Sequence, residues 1–139
     1  MMKFGFIGMG NMGYAMLKGA LNSFSSDEII FTCPSSQRRE YINSETNVAY
    51  AESNAECANN SKYIILAVKP QVYDVVLKNI HDIVSPDNII ISLAPGITID
   101  DLKRKLGNDM RIVRAMPNTP ALVGQGMTGI SYEASEFSL

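Results

Sequence analysis

Lys3-Phe4-Gly5-Phe6-Ile7-Gly8-Met9-Gly10-Asn11-Met12-Gly13 is a short apolar run that enters G-x-G-x-x-G and leaves through Ala15-Met16-Leu17-Lys18-Gly19-Ala20-Leu21. Strand, glycines and helix in that order suit a dinucleotide. Gly8 permits the sharp turn, Gly10 leaves no side chain where a pyrophosphate approaches, and Gly13 lets the helix pack closely on the strand. The helix start then offers unpaired N–H groups and a partial positive charge to phosphate. Met12, Met16 and Ala20 recur at four-residue spacing, as a helix requires.

Working outward, strands and helices alternate. Glu28–Cys33 reads as a second strand, Gln37–Asn43 as a helix and Val48–Tyr50 as a weak third strand. Ser53 with Glu56 forms a capping-box pattern ahead of a short helix to about Asn59. Tyr63–Val68 is almost wholly apolar, as a strand buried on both faces should be. Val72, Val76, Ile80 and Ile83 form an amphipathic stripe, Asn88–Leu93 is a further strand, and Thr98 with Asp101 opens a helix that Gly107 ends. Arg111–Met116 is a sixth strand and Gly129–Tyr132 a seventh. The expected fold is therefore α/β: a doubly wound, mostly parallel Rossmann-type sheet with helices on both faces. Residues 1–139 make one NAD(P)-binding domain, a length that buries a core without disulfides or metal.

Composition excludes several classes. The net charge of −2 leaves no basic footprint for nucleic acid, and no apolar run reaches membrane-spanning length. Cys33 and Cys57 read as reduced thiols of a cytoplasmic protein, and Met1-Met2-Lys3 leads into the glycine turn without a signal peptide. With His81 the only histidine, neither a metal cluster nor a Ser-His-Asp triad is expected.

In such sheets ligands sit beyond the carboxyl ends of the strands. Those ends carry Gly8–Gly13, Cys33–Arg39, the turn at Asn54, Ala67–Pro70, Ala94–Gly96 and Met116–Pro120. The second end separates two cofactors. An NAD site places an acid about 20 residues on, for the ribose 2′-OH. Here Cys33 stands there, followed by Ser35, Ser36, Arg38 and Arg39, with no acid before Glu40. Hydroxyls and guanidiniums favour a 2′-phosphate, hence NADPH, with NADH possible; one of the arginines is equally suited to an exposed helix face. Lys69 reads as a cofactor contact or as a lysine reaching solvent. Asn118 and Thr119, stiffened between Pro117 and Pro120, line a nicotinamide pocket or form an ordinary turn. No residue stands out as a general acid or base: Asp74, Asp82, Asp100 and Asp101 read as solvated charges, and Tyr63 and Tyr73 as packing residues.

Gly5–Gly13, Ala67-Val68-Lys69-Pro70-Gln71, Gly96-Ile97-Thr98-Ile99 and Arg114-Ala115-Met116-Pro117-Asn118-Thr119-Pro120, in this order, resemble pyrroline-5-carboxylate reductase. The resemblance runs to about Tyr132. It implies NADPH-dependent reduction of 1-pyrroline-5-carboxylate to L-proline, the last step of proline synthesis. By position it implies that Ile7, Gly8, Met9, Gly10, Asn11 and Met12 hold the pyrophosphate, and that Ser35 and Ser36 take the 2′-phosphate. It further places Asn54 at the ribose, and Ala67, Val68, Lys69, Pro70 and Gly96 at the nicotinamide half. Pro34 and Pro95 depart from the family pattern. The resemblance also implies a C-terminal helical domain, absent from these residues, that supplies homo-oligomerisation and the substrate-binding groups. No catalytic residue is then expected in this chain, which alone should turn over little or nothing. Dehydrogenases of β-hydroxyacid or F420 type share the glycine turn but should not share Met116–Pro120. An NADP-binding regulatory or degenerate module without catalysis is the non-enzyme alternative.

Overall fold

The computed structural model describes residues 2–94, 96–117 and 127–132. Among the described residues there are seven strands: β1 (Met2–Ile7), β2 (Ile29–Thr32), β3 (Ala49–Tyr50), β4 (Ser61–Leu66), β5 (Ile89–Ser92), β6 (Arg111–Pro117) and β7 (Met127–Tyr132). Among the described residues five α-helices connect the first six strands: α1 (Asn11–Ala20), α2 (Ser36–Thr46), α3 (Asn54–Asn59), α4 (Tyr73–Ile80) and α5 (Ile99–Leu106). The strands form one sheet in the order β3-β2-β1-β4-β5-β6-β7. The first six are parallel, and β7 returns antiparallel to β6. The chain builds outward from β1 on one side and from β4 on the other, so the switch of direction lies between β1 and β4.

The apolar strands are buried because each face is covered. On one face Cys57, Val76, Leu77, Ile80 and Leu102, from α3–α5, pack against Ile7, Ile64, Leu66, Ile90 and Ile112. On the other, Leu17 of α1 and Ile42 of α2 pack against Phe6, Ile29, Phe31 and Ile65. The doubly wound reading of the sequence holds in full.

Some local expectations shift. In α1 the buried face is Gly13, Ala15 and Leu17, while Met12 is 46% exposed. In α4 it is Tyr73, Val76, Leu77 and Ile80, with Val72 and Ile83 partly exposed, because Pro70–Val72 forms a separate 3₁₀ turn that resets the helical phase. Ser53 accepts from the Glu56 N–H at 3.1 Å, but the Glu56 carboxylate reaches the Glu52 N–H instead of closing the box on Ser53. The Thr98–Asp101 box is complete. Pro95, Asn118, Thr119 and Pro120 lie outside the described residues.

Candidate functional site: the carboxyl edge of the sheet

Backbone hydrogen bonds lace neighbouring strand ends into one edge. Ala51 N–H donates to Phe31 O (2.7 Å), Gly8 N–H to Thr32 O (2.9 Å), Ala67 N–H to Ile7 O (2.8 Å) and Leu93 N–H to Leu66 O (3.2 Å). Gly8, Ala67 and Leu93 thus leave the sheet side by side, with the β1–β4 switch point among them.

The glycine turn is built from two close approaches and one opening. Gly8 has φ +104°, and a Cβ there would lie 2.7 Å from Ala67 O. A Cβ on Gly13 would lie 2.5 Å from Gly8 O, so α1 begins directly against the turn. Gly10 differs: its φ of −72° and ψ of −166° are ordinary extended backbone, and a Cβ there meets nothing within 4 Å. The space over Gly10 therefore faces outward from the turn. The first turn of α1 carries no acidic residue, and no side chain caps its start. Uncapped N–H groups, a positive helix end and an open glycine fit the pyrophosphate of a dinucleotide. Ile7 and Met9 are buried, so only their backbone is available at this edge, whereas Asn11 and Met12 are exposed.

The connection after β2 lies next along this edge. Ser35 caps α2, its Oγ accepting from the Arg38 N–H at 3.1 Å; a hydroxyl so engaged still has its own proton to donate. Ser36, the first helical residue, is exposed, and no acid occupies that first turn either. The two arginines divide. Arg39 turns inward, donating through Nη1 to Cys33 O at 2.6 Å and lying over Tyr50, with its Nε buried and unpartnered. Arg38 lies against the glycine turn: its Nε donates to Met9 O at 3.0 Å, and its guanidinium sits 5.1 Å from the Tyr14 ring centroid and 5.8 Å from that of Tyr41. Its two Nη groups make no hydrogen bond among the described residues.

Asn54 starts α3 and donates to Asn79 Oδ1 at 3.1 Å, leaving its own oxygen as an acceptor. Ala67 and Val68 flank Gly8: a Cβ there would also come within 2.8 Å of Val68 Cγ1. Lys69 and Pro70 are exposed beyond them, and Gly96, with φ +84°, is exposed on the neighbouring loop. The structure thus gathers the glycine turn, the Ser35 cap with the first turn of α2, and Ala67–Pro70 along one edge. A hollow bounded by Asn59, Lys62, Ser85 and Arg111 lies at the opposite, amino-terminal edge.

Two links were not legible in the sequence: Arg38 to Met9 O, and the bridging of two strand ends by Tyr73. Each depends on a rotamer, which residue spacing does not report. Among the described residues no group of three or more His, Cys, Asp or Glu could hold a metal ion, and no helix is long and apolar enough to cross a membrane.

Comparisons with known proteins agree with this fold. The family described as NADP oxidoreductase, coenzyme F420-dependent, matches residues 3–96, stopping short of Arg114–Pro120. Pyrroline-5-carboxylate reductase of Escherichia coli is 41% identical over 134 residues, covering 95% of this chain and 50% of that protein. Among solved structures, a pyrroline-5-carboxylate reductase from Coxiella burnetii superposes with a TM-score of 0.88 at 32% identity, covering 96% of this chain and 50% of that one. Plasmodium falciparum pyrroline carboxylate reductase with NADP bound superposes at 0.82 and 33% identity, over 96% of this chain and 48% of that one. The chain spans about half the length of these relatives. Through residues 3–96 the chain belongs to the NADP oxidoreductase, coenzyme F420-dependent family, and over nearly its whole length it is homologous to the N-terminal, NADP-binding domain of pyrroline-5-carboxylate reductases.

Proposed function

We propose that residues 1–139 form the NADPH-binding domain of an enzyme that reduces 1-pyrroline-5-carboxylate to L-proline. The observation that carries this is the edge just described, in a chain 41% identical to a pyrroline-5-carboxylate reductase across 134 residues. In this reading Ile7–Gly13 hold the pyrophosphate through backbone N–H groups and the start of α1. Ser35, Ser36 and the free end of Arg38 hold the 2′-phosphate, and Asn54 holds the ribose. Ala67–Pro70 and Gly96 border the nicotinamide, with Asn118 and Thr119 assigned to the same pocket. The bound cofactor supplies the hydride. The chain's own part is to fix one reactant and keep its reactive face toward the crevice, which removes much of the entropic barrier once the imine is held there too.

The groups that bind the imine carboxylate and complete the site are assigned to a further helical domain, which also makes the homo-oligomer. The buried, unbridged thiols of Cys33 and Cys57 favour a reducing, cytoplasmic setting. A cofactor-binding module without catalysis shares every one of these contacts. It is favoured by one observation: the carboxylates Asp74, Asp100 and Asp101 lie on α4 and α5, and the first turn of α1 carries no acidic residue.

The test joins this chain to the C-terminal half of the Escherichia coli relative and follows oxidation of NADPH on addition of 1-pyrroline-5-carboxylate. The joined protein should turn over and the chain alone should not. Turnover by the chain alone contradicts the placing of the catalytic groups elsewhere. A joined protein that binds NADPH but stays inert contradicts the substrate assignment.

A further inference from the structure

Tyr73 opens α4 with its ring buried, only 2% exposed. Its hydroxyl lies 3.1 Å from the carbonyl oxygen of Leu66, the last residue of β4, and 2.9 Å from Oγ of Ser92, the last residue of β5. A carbonyl only accepts, so the tyrosine proton goes to Leu66 and the Ser92 hydroxyl donates to the tyrosine oxygen. Ser92 is 1% exposed and has no other side-chain hydrogen bond among the described residues. One phenol therefore joins two adjacent strand ends, where the chain departs into Ala67–Pro70 and into Leu93 and Ala94.

A ring at this position fills the core equally well without oxygen, and a buried hydroxyl stabilises only if its partners are well placed. Burial pushes the Tyr73 hydroxyl pKa up, opposed by the Ser92 hydroxyl and by the backbone of Ala94 and Leu93. The group stays protonated at neutral pH and lies too deep to touch a ligand. Its effect must pass through the two loops it underlies.

We infer that Tyr73 is a positioning residue: its hydroxyl fixes the spacing of the Ala67–Pro70 segment and of Leu93 and Ala94 and so orders the nicotinamide half of the cofactor, not the adenosine half. The inference rests on the proposed cofactor site. The Ser35 cap and first turn of α2, which serve the adenosine half in that site, lie beyond β2, on the other side of β1 from β4 and β5.

The test compares NADPH with adenosine 2′,5′-bisphosphate, a probe of the adenosine half alone, by calorimetric titration. Tyr73→Phe keeps the ring and leaves Leu66 O its bond from the Leu93 N–H. Adding Ser92→Ala removes the hydroxyl left without a partner, so the double variant guards against loss of folding. Both variants should bind NADPH about 3- to 10-fold more weakly, the range for one or two lost hydrogen bonds, with bisphosphate affinity unchanged. Equal weakening of both ligands, or of neither, overturns the inference while leaving the cofactor site standing. Failure of the wild-type chain to bind either ligand overturns the proposed function itself.

Discussion

Arg38 Nε donates to the Met9 carbonyl oxygen at 3.0 Å, tying the loop after β2 to the glycine turn after β1. The bond uses the Nε–H and leaves the two Nη groups without a hydrogen bond among the described residues. Its neighbour Arg39 is committed to backbone oxygens of Cys33 and Pro34. Two adjacent arginines that look alike in the sequence thus reach different partners, one the glycine turn and the other the backbone of its own connection.

Arg38→Ala should weaken NADPH binding about 10- to 100-fold, the worth of a charge-assisted contact of about 1.5–3 kcal/mol, and NADH binding by no more than about threefold. Arg39→Ala should lower stability by about 1–2 kcal/mol and leave the ratio of the two affinities unchanged. Ser35→Glu with Ser36→Glu should narrow the gap between the cofactors, because two carboxylates repel the 2′-phosphate. Titration of each variant with both cofactors, alongside urea unfolding, checks all three.

The three glycines of the turn should separate by phenotype. Gly8→Ala and Gly13→Ala each force a Cβ within 2.7 Å of a backbone oxygen, and Gly8 adds a positive φ; each should cost at least about 1–3 kcal/mol of stability. Gly10→Ala meets no protein atom and adopts its φ without strain, so the melting temperature should hold while NADPH affinity falls. Loss of folding in Gly10→Ala contradicts the assignment of that space to a ligand.

The α5 cap gives a pH signature. The Thr98 backbone N–H, then its hydroxyl, hold the Asp101 carboxyl below the ordinary aspartate range, with Arg104 adding to this. A lowered folded-state pKa stabilises above the unfolded value and is lost as pH falls through the folded value. Asp101→Asn should therefore be less stable than wild type near neutrality, the two converging in acid. Thr98→Ala should cost about 0.5–2 kcal/mol at neutral pH. Urea titrations across the acid range measure both.

Cys57 gives the opposite limb. Burial pushes its thiol from 9.0 up to about 12. As pH rises past the ordinary thiol value the unfolded chain releases this proton and the folded chain keeps it. Stability should then fall by about 1.4 kcal/mol per pH unit from this group until the folded value is reached. Cys57→Ala should flatten that limb, and a thiol reagent should label Cys33, nearer the surface, before Cys57 in the native chain.

Much of this fold is written in local pattern. Apolar runs such as Tyr63–Leu66 and Asn88–Leu93 announce buried parallel strands, and G-x-G-x-x-G fixes where β1 gives way to α1. Phase and rotamer are less legible. The 3₁₀ turn at Pro70–Val72 moved the buried face of α4 onto Tyr73 and Leu77, which a stripe counted from Val72 does not find. The separate roles of Arg38 and Arg39 follow from one residue of helical rotation at the start of α2, a difference of about 100° that composition alone does not register.

The central claim is that the edge at Gly8, Gly10 and Gly13 binds NADPH, with the Ser35–Arg38 loop reading its 2′-phosphate. Calorimetric titration of the 139-residue chain with NADPH and with NADH tests it most directly. The account predicts saturable NADPH binding at least about tenfold tighter than NADH, the worth of one charge-assisted phosphate contact. Equal affinities contradict the reading of the Ser35–Arg38 loop, and no binding of either cofactor contradicts the site itself.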